Sequence, residues 1–493
     1  MSWFGIAMFG VAIVLMITTG LPVYAVLLGV AALFATIGVA AGTFDIALLG
    51  ALPSRVVGLL EQDLLQALPL YAFIGALLNR LPLAGLMHAS GERLFARSPA
   101  AAQLSALGVG ALLAPMNGSV GASLHMLARR VAPALAARHV APAEAAATVC
   151  VASTLGIVIP PSLVLLLLGD AMMSAHTEAV NVTHAAVRIV NTQDVLQAAI
   201  VPGLAVFASA LAITAWRGRH RPHEALLPLP RGDATQAVIA AIVIVLLLGA
   251  VAVGRLYAVE AAATGGLLLL GWGVVSRRLD RALLGAVIGD AMTLTGLLMA
   301  LLIGATSFSL VVRGFGADAL VASGLHARAA QPRVMLGAVL AGMVACSFVL
   351  DAFEMIFLVI PLVMPPVLTV VPDAAWVAAL TLLVLQLGFL LPPLGYAIVM
   401  SRAAMREAPP VAALARALAP QLIAQALLIA ALLAWPGLTR LDRESSDAAP
   451  AAAVSDEQAE RLMDEAFRRN SENPDAAASA ASDPRRDGQA AGF

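Results

Sequence analysis

The sequence predicts an all-α polytopic membrane protein, and three observations support this fold class. Hydrophobic residues make up 61% of the 493 positions and charged residues only 12%, and the mean hydropathy is +0.92, which is far outside the range of soluble domains. Charge-free runs recur along most of the chain. Two of these runs contain the same motif, Leu-Gly followed by three apolar residues and Pro-Pro, with the proline pairs at 160–161 and 392–393, where a helix is expected to break inside the membrane.

Residues 1–44 carry no charge and predict two membrane helices joined near Gly20-Leu21-Pro22. A cleavable signal peptide begins with a positively charged stretch and has a shorter apolar core, so this segment is not typical of one. The protein is therefore expected to enter the bilayer from its first residues.

Further charge-free runs mark the other membrane segments, because about 20 residues are needed to cross the hydrocarbon core. They cover 64–79, 98–128, 145–169, 195–216, 234–254, 261–276, 291–312, 334–350, 355–372, 374–401 and 417–439. Helices must dominate, since unpaired backbone groups cannot face lipid. Several runs are too short or too long for one span and contain Gly, Pro and Ser, which predicts re-entrant hairpins and broken helices.

The charged segments indicate topology and exclude some functions. The Arg-rich segments 217–231 and 277–281 are predicted to face the cytoplasm, and the polar residues 440–493 predict a mostly disordered tail. A net charge of −1 does not favour nucleic-acid binding. Cys150 and Cys346 lack the spacing of a metal site, and the absence of a phosphate-binding loop argues against ATP hydrolysis by this chain.

Two short motifs recur at nearly the same offset. "LGIVIPP" at 155–161 is matched by "LGFLLPP" at 387–393, and "IGA" at 74–76 recurs at 303–305. Single matches of this kind arise by chance in apolar sequence, but two matches at nearly equal offsets favour a duplication. The predicted domains are a first membrane repeat (1–216), a cytoplasmic linker (217–233), a second membrane repeat (234–439) and the tail (440–493).

Four polar islands, two in each half, are predicted to enclose one binding site. Where a membrane helix unwinds, its free carbonyls can coordinate a cation such as Na⁺, and the positive N-termini of half-helices can meet an anion. The candidate residues of the first half are Asn117, Gly118, Ser119, Ser123, Ser153, Thr154, Gly156, Pro160, Pro161 and Ser162. Those of the second half are Ser347, Asp351, Glu354, Gln386, Gly388, Pro392, Pro393 and Gly395.

The glycines next to the Pro-Pro pairs are expected at unwound positions. Gly156 and Gly388 would then adopt backbone conformations that other residues avoid, and leave room for an ion. Glycines in ordinary spans, such as Gly265, are expected to tolerate alanine.

Several charged residues have a structural and a functional interpretation. Asp351 and Glu354 lie three residues apart, and intramembrane carboxylates are usually functional, although the pair can also cap a hairpin. Arg129 and Arg130 are interpreted as helix-end anchors and His125 as a packed or interfacial residue. Asp170 and Asp290 each follow a glycine and are interpreted as residues at helix ends.

The motifs "LPLYAFIGALL" (68–78), "STLGIVIPPSLVLLLLGD" (153–170), "LDAFEMIFLVIPLVMPP" (350–366) and "LQLGFLLPPLG" (385–395) resemble a known family. It is the large membrane subunit of the tripartite ATP-independent periplasmic (TRAP) transporters, and the resemblance extends from about residue 3 to 437. A loop at 170–200 resembles an insertion in the branch named for 2-oxo acid or mannitol/chloroaromatic transport.

The resemblance implies an elevator-type ion transporter built from two inverted repeats in a bacterial cell inner membrane. It implies Na⁺-gradient-driven uptake of a small organic anion, a carboxylate or 2-oxo acid. Na⁺ serves as the coupling ion, and no other cofactor and no enzymatic activity are expected. The implied partners are a periplasmic substrate-binding protein and a small four-helix membrane subunit, which is expected to be a separate chain. Sodium is expected at Gly118, Gly156, Asp351 and Gly388.

The chain departs from the family pattern near both breaks. Relatives have small hydroxyl residues where this chain has Pro115, Met116 and Asn117. A family threonine is replaced by Leu391 and a family asparagine by Val384.

Two other classes of protein are considered. A stand-alone secondary anion symporter of the same superfamily would work without a binding protein. An intramembrane enzyme with Ser119 as nucleophile and His125 as base is disfavoured, since a helical spacing of six residues places the two side chains on different faces.

Overall fold

Helices form nearly all of the regular structure in the computed structural model, which describes residues 2–61, 63–184, 187–220, 231–326, 330–405 and 407–439. No strand occurs among these residues, so the all-α prediction is confirmed. Eight of the described helices are long and apolar enough to cross a membrane, and a bent pair raises that number to nine. The tail from 440 onward and most of the Arg-rich segment, 221–230, lie outside the described residues.

The chain begins with two apolar helices joined at Gly20, as the sequence predicts. A short 3₁₀ helix, Ile46–Ala51, and α3 then lead into α4 and α5, which form the bent pair with an angle of 68° between their axes. The helices are α1 (Ser2–Thr19), α2 (Val23–Ala40), α3 (Leu52–Leu60), α4 (Asp63–Arg80) and α5 (Leu83–Leu94).

The next helices contain the first hairpin and the first break. The long run 98–128 is interrupted by a 3₁₀ turn at Pro115–Asn117, as its Pro, Asn, Gly and Ser content predicts, and the Pro-Pro pair separates α9 from α10. The helices are α6 (Ala101–Leu113), α7 (Val120–Arg130), α8 (Ala132–Ala137), α9 (Pro142–Val158), α10 (Leu163–Thr183) and α11 (Thr192–Gly218).

The remaining helices carry the second hairpin and the second break. The hairpin turn lies between α16 and α17, and α17 continues through a π-helical turn, Met355–Val359, into α18. The helices are α12 (Arg231–Ala252), α13 (Ala258–Val275), α14 (Arg281–Gly314), α15 (Ala317–His326), α16 (Pro332–Cys346), α17 (Ala352–Glu354), α18 (Ile360–Val370), α19 (Ala374–Leu390), α20 (Tyr396–Ala404) and α21 (Val411–Ala434).

Two predictions about helix ends are wrong. Asp170 lies within α10, which continues to Thr183, so much of the expected loop at 170–200 is helical. Asp290 lies inside the 34-residue helix α14, where it pairs with Arg80 at 2.7 Å. In both cases a glycine followed by an aspartate was interpreted as the end of a helix. Each of these residues lowers helix stability by only about 1 kcal/mol or less, so a long helix can continue through the pair.

The centre of the fold is formed by α9 and α19, which are buried on nearly every side. Apolar residues surround both helices, as expected for helices in the middle of a bundle. Each ends two residues before its Pro-Pro pair, and the Pro160–Pro161 and Pro392–Pro393 bonds are cis. The first break is buried, at Pro160 and Pro161, whereas the second is more open, with Pro393 and Leu394 exposed.

Candidate functional site

A small cavity of about 10 Å³ lies where the first hairpin turn meets the break between α9 and α10. Five of the predicted site residues line it, and its other walls come from Ala114, Pro115, Val120, Leu163 and Val164. The five are Gly118, Ser119, Ser153, Gly156 and Ser162. The structure therefore brings the two polar islands of the first half together, as the sequence predicts. The cavity is about large enough for one water molecule or one small ion.

Helix ends of both polarities meet at this cavity. Ser119 caps the N-terminus of α7, where its Oγ accepts a hydrogen bond from the Ala122 N–H at 3.1 Å. Ser162 caps α10 in the same way, accepting from the Leu165 N–H at 3.1 Å. The C-terminal end of α6 reaches the cavity at Ala114. Partial positive and partial negative charge are thus concentrated within a few ångströms.

Serine oxygens are the polar side-chain atoms of this cavity. The Ser153 hydroxyl donates to the Cys150 carbonyl at 2.9 Å, and the Ser162 hydroxyl donates to the Ile157 carbonyl at 3.4 Å. Because a hydroxyl oxygen has two lone pairs, both can still act as ligands to a cation. Among the described residues, no three His, Cys, Asp or Glu side chains gather in one place, so the donor set here suits a hard cation bound by neutral oxygens.

Two glycines at the cavity serve different purposes. Gly118 has φ +71°, so the turn after the 3₁₀ segment uses the left-handed conformation that glycine adopts without strain. Gly156 lies within α9, and a Cβ built there would be 2.6 Å from the carbonyl oxygen of Ala114. The expectation that Gly156 and Gly388 occupy unwound positions is wrong, since both are helical; they are needed for close packing.

Asn117 and Ser123 hold the hairpin turn in place. With its amide oriented to satisfy its neighbours, the fully buried Asn117 donates to the Gly75 carbonyl at 3.1 Å. Its oxygen accepts from the Ser123 N–H at 3.1 Å and the Ser123 hydroxyl at 3.2 Å. Both side chains thus bond within the protein, so their contribution to the site is to position Gly118 and Ser119.

The second hairpin turn also packs against its break. A Cβ on Gly388 would fall on the hydroxyl oxygen of Ser347, so these two predicted residues are in direct contact. Gly395 precedes α20, and a Cβ there would meet the Leu391 carbonyl at 2.8 Å.

Asp351 and Glu354 form a capping box at the start of α17. The Asp351 carboxylate accepts from the Glu354 N–H at 2.9 Å, and the Glu354 carboxylate accepts from the Asp351 N–H at 3.0 Å. Neither side chain lines the small cavity. Of the two interpretations of this pair, the geometry favours the cap.

One hydrogen-bonded chain connects the two breaks. Gln386 of α19 donates to the Thr154 hydroxyl of α9 at 3.5 Å and accepts from the Gln425 amide of α21 at 2.9 Å. Gln425 was not predicted, although a glutamine inside the apolar run 417–439 is a signal for such a role. The four islands therefore touch, but among the described side chains those of the second half lie outside the small cavity.

The remaining candidates have structural roles. Arg130 donates to the Arg80 carbonyl at the end of α4, at 2.9 Å, as expected of a helix-end anchor. His125 is exposed on α7, whereas Ser119 is engaged as a cap. A nucleophile and base pair at these positions is therefore not formed.

A second, larger cavity of about 280 Å³ lies between α3, α10, α14 and α18. It contains Asp170, Glu178 and Arg313, none of which the sequence placed at a site. The wrongly placed helix end at Asp170 concealed it, because the residues beyond Asp170 were assigned to a loop.

A many-span helical protein whose broken helices meet at a central polar cavity belongs to the class of membrane transporters. The chain belongs to the TRAP transporter family as its large membrane component: residues 9–438 match the family model described as "Tripartite ATP-independent periplasmic transporter, DctM component". Membership implies a small membrane subunit and a periplasmic binding protein as partners.

A similar solved structure is the crystal structure of the Alcanivorax borkumensis YdaH transporter, described as having an unusual topology. The TM-score is 0.54 with 15% identity, over 87% of this chain and 98% of that chain. At this identity the likeness shows the fold alone. No curated protein matches the chain.

Proposed function

We propose that this subunit uses an inward Na⁺ gradient to drive uptake of a small organic anion across a bacterial inner membrane. A periplasmic binding protein delivers the anion, and a separate four-helix subunit completes the complex. The observation that carries the proposal is the small cavity at the first break, where serine oxygens and helix ends of both polarities meet.

The cavity suits a sodium ion in size and in chemistry. It admits one water-sized occupant, and its polar side chains are the neutral oxygen donors Ser119, Ser153 and Ser162. Backbone at a broken membrane helix adds carbonyl ligands of the kind that secondary transporters use for Na⁺. We assign the ion to Gly118 and Gly156 of the sequence-based set, with Gly388 and Asp351 supporting the corresponding turn of the second half.

Each half of the protein contains one central helix, one break and one hairpin turn. This correspondence supports the proposal of two inverted repeats that move as an elevator. The central helices α9 and α19 are both 17 residues long, each ends at a Pro-Pro pair, and each packs against a hairpin turn. Paired broken helices of this kind are the recognised location of the binding site in transporters built from repeats. The proposed repeats keep the sequence-based boundaries 1–216 and 234–439, and each contains one of the two breaks.

Sodium coupling is tested by uptake into proteoliposomes that contain the large and small subunits, with the cognate binding protein outside. The transported anion is first identified by its stabilisation of that binding protein. Replacing external Na⁺ by choline is expected to lower uptake by about tenfold or more, and omitting ATP is expected to have no effect.

Undiminished uptake in choline would contradict sodium coupling. Equal uptake with and without the binding protein would instead favour a stand-alone anion symporter, even if the Na⁺ dependence held.

A further inference from the structure

The larger cavity is a crevice between two groups of helices. On one side α14 packs along α2 and α4, and on the other side α10 packs along α18. The two groups touch at the π-helical turn, which contacts α14, and where α10 meets α4. Between these contacts the crevice leaves about 280 Å³ open. The predicted site residues lie outside α2, α4 and α14, so the site belongs to the group that contains α10 and α18.

Both walls of the crevice carry polar side chains. Asp170 and Ser174 lie one helical turn apart on α10, and Thr306 and Ser309 line the crevice from α14. Polar groups inside a membrane protein need water or a polar partner, so water is expected to fill the crevice. Two helix groups that are separated by water can move past each other without the loss of close apolar packing.

The corresponding place in the first half of the protein is closed. The motif "IGA" at 74–76 lies on α4, and a Cβ on Gly75 would be 2.6 Å from the backbone oxygen of Asn117 in the first hairpin turn. Ala305, in the matching motif on α14, lines the crevice instead. The first hairpin is thus in direct contact with α4, whereas the crevice separates α18 of the second hairpin from α14.

Arg313 of α14 bridges the crevice. Its two terminal nitrogens donate to the two carboxylate oxygens of Glu178 on α10, at 2.9 and 3.0 Å. One of them also donates to the Pro361 carbonyl on α18, at 2.8 Å. A single side chain therefore holds both helices of the other group. Arg313 is the last residue but one of α14, and Glu178 lies in the last two turns of α10, so the bridge lies at one end of the crevice.

This end of the crevice is expected to face the periplasm. α11 ends at Gly218, in the Arg-rich segment 217–231, and α14 begins at Arg281, in the second Arg-rich segment. Both segments are predicted to be cytoplasmic. Arg313 lies at the other end of α14, and Glu178 lies before the turn that leads to the start of α11. Both residues are therefore expected at the opposite membrane surface.

The Pro361 carbonyl is available to Arg313 because of a second proline. In an α-helix this carbonyl would accept from the N–H of residue 365, but residue 365 is a proline and has no N–H. The Pro361 carbonyl therefore lacks its helical partner, and Arg313 supplies a hydrogen bond in its place. The spacing of the two prolines thus prepares an acceptor for the arginine on α18.

We propose that the hydrogen bonds of Arg313 to Glu178 and Pro361 form a latch, which holds the two helix groups together in this conformation and opens in every transport cycle. The pair is partly exposed, with 26% of the Arg313 side chain and 40% of the Glu178 side chain accessible, and ion pairs of this kind are weak enough to open readily. The latch rests on the proposed function, because the elevator movement is what requires the two groups to move past each other.

Cross-linking tests whether the latch has to open. Glu178→Cys and Arg313→Cys are combined with Cys346→Ser and bridged by a bifunctional methanethiosulfonate with a short alkyl spacer, which takes the place of the two long side chains. Uptake into the proteoliposomes described above is expected to fall by about tenfold or more when the bridge forms, and to recover when the bridge is reduced.

Two controls show that the effect comes from the bridge. A monofunctional methanethiosulfonate on the same variant should leave uptake unchanged. Arg80→Cys with Asp290→Cys replaces an ion pair of 2.7 Å between α4 and α14, which belong to the same helix group. Bridging this second pair should therefore leave uptake unchanged as well.

Labelling of a cysteine in the crevice tests the latch without a gradient or a transported anion. Ala171→Cys on α10 lines the crevice, and its rate of reaction with N-ethylmaleimide is measured in the purified complex of the two membrane subunits, with Cys346→Ser. The exposed Ser323→Cys on α15 gives the reference rate. Glu178→Gln should raise the relative rate by about threefold or more, because a weakened latch opens the crevice more often. The reagent is neutral, so the removed charge does not affect it directly.

Variants of the other partners separate the latch from a general loosening of the fold. Arg313→Gln should raise the labelling rate as Glu178→Gln does, and Arg313→Lys should raise it less, since lysine keeps the charge without the two-point geometry. Pro365→Ala should also raise it, although it changes no charge, because it returns an N–H to the carbonyl that Arg313 uses. Arg80→Gln, which breaks the ion pair with Asp290, is the matched control and should change nothing.

Uptake that survives cross-linking, or a labelling rate that does not depend on Arg313 and Glu178, would overturn the latch. A cysteine pair that cannot be bridged would do the same, because it would show that the two side chains do not face each other. If the double cysteine variant is inactive before cross-linking, the labelling rates decide.

The two proposals can fail separately. If uptake required Na⁺ but survived cross-linking, the proposed function would stand without the latch. Conversely, uptake that ignored Na⁺ but was lost on cross-linking would remove the sodium coupling and keep the latch.

Discussion

Replacing Gly156 by alanine is expected to lower Na⁺-dependent uptake by about tenfold or more. The added Cβ would lie 2.6 Å from the carbonyl oxygen and 2.7 Å from the carbonyl carbon of Ala114, which is closer than non-bonded atoms approach. These are backbone atoms, so relief requires α6 and α9 to separate. That movement opens the first hairpin turn and distorts the ion cavity, and uptake in proteoliposomes measures the result.

The control is a glycine at which the Cβ of an introduced alanine would contact no other atom. Gly271 in α13 has no neighbouring atom within 4 Å of that position, so Gly271→Ala should gain up to about 1 kcal/mol of helix propensity and leave uptake unchanged. Gly265 is a less clean control, because its Cβ would lie 3.1 Å from the end of the flexible Met116 side chain. Equal uptake by the Gly156 and Gly271 variants would show that the close approach to Ala114 does not matter.

Gly388 offers a test of whether a steric collision, and not some other effect of the added methyl group, causes the loss of uptake. Its Cβ would collide with the side chain of Ser347, while the Ser347 Cα is 3.9 Å away. Adding Ser347→Gly to the Gly388→Ala variant should therefore restore uptake, since it removes the colliding side-chain atoms. No side-chain truncation can rescue Gly156→Ala, because the obstacle there is backbone.

The positions of the helices and of their breaks could be predicted from the sequence. Charge-free runs mark membrane helices because buried charge is expensive in lipid, and this identified α4, α11, α12 and most later spans. Pro160 and Pro392 ended α9 and α19 where the chemistry of proline requires it. The polar residues at 115–123 likewise marked the first hairpin turn, and Gly118, Ser119, Ser153, Gly156 and Ser162 do meet there.

Features that depend on contacts between helices were not predictable from local patterns. A glycine in a helix looks the same in sequence whether it is unwound or in contact with another backbone, so Gly156 was assigned to the wrong conformation. The larger cavity was missed for a similar reason. Asp170 and Glu178 lie on α10 and Arg313 lies more than 100 residues later, on α14. Only the packing of these two helices shows that the three side chains face one another.

The capping box formed by Asp351 and Glu354 fixes the shape of the second hairpin turn, because it determines where α17 begins. Asp351 begins α17 by accepting from the Glu354 N–H, and the preceding turn carries Ser347, which packs against Gly388. A change at the cap is therefore expected to reach the break through the close approach of Ser347 to Gly388.

Asp351→Ala is expected to lower uptake by about tenfold, because losing an N-cap costs about 0.5–2 kcal/mol and 1.4 kcal/mol corresponds to a factor of ten. If the cap is the role of Asp351, Asp351→Asn and Asp351→Ser should retain most of the uptake, since both side chains accept the same hydrogen bond. If the negative charge is required instead, for example as a sodium ligand, both variants should fail as severely as alanine. Uptake rates of the three variants, at matched membrane levels, decide between the two roles. The geometry favours the first, because the Asp351 carboxylate accepts from the Glu354 N–H at 2.9 Å and does not line the small cavity.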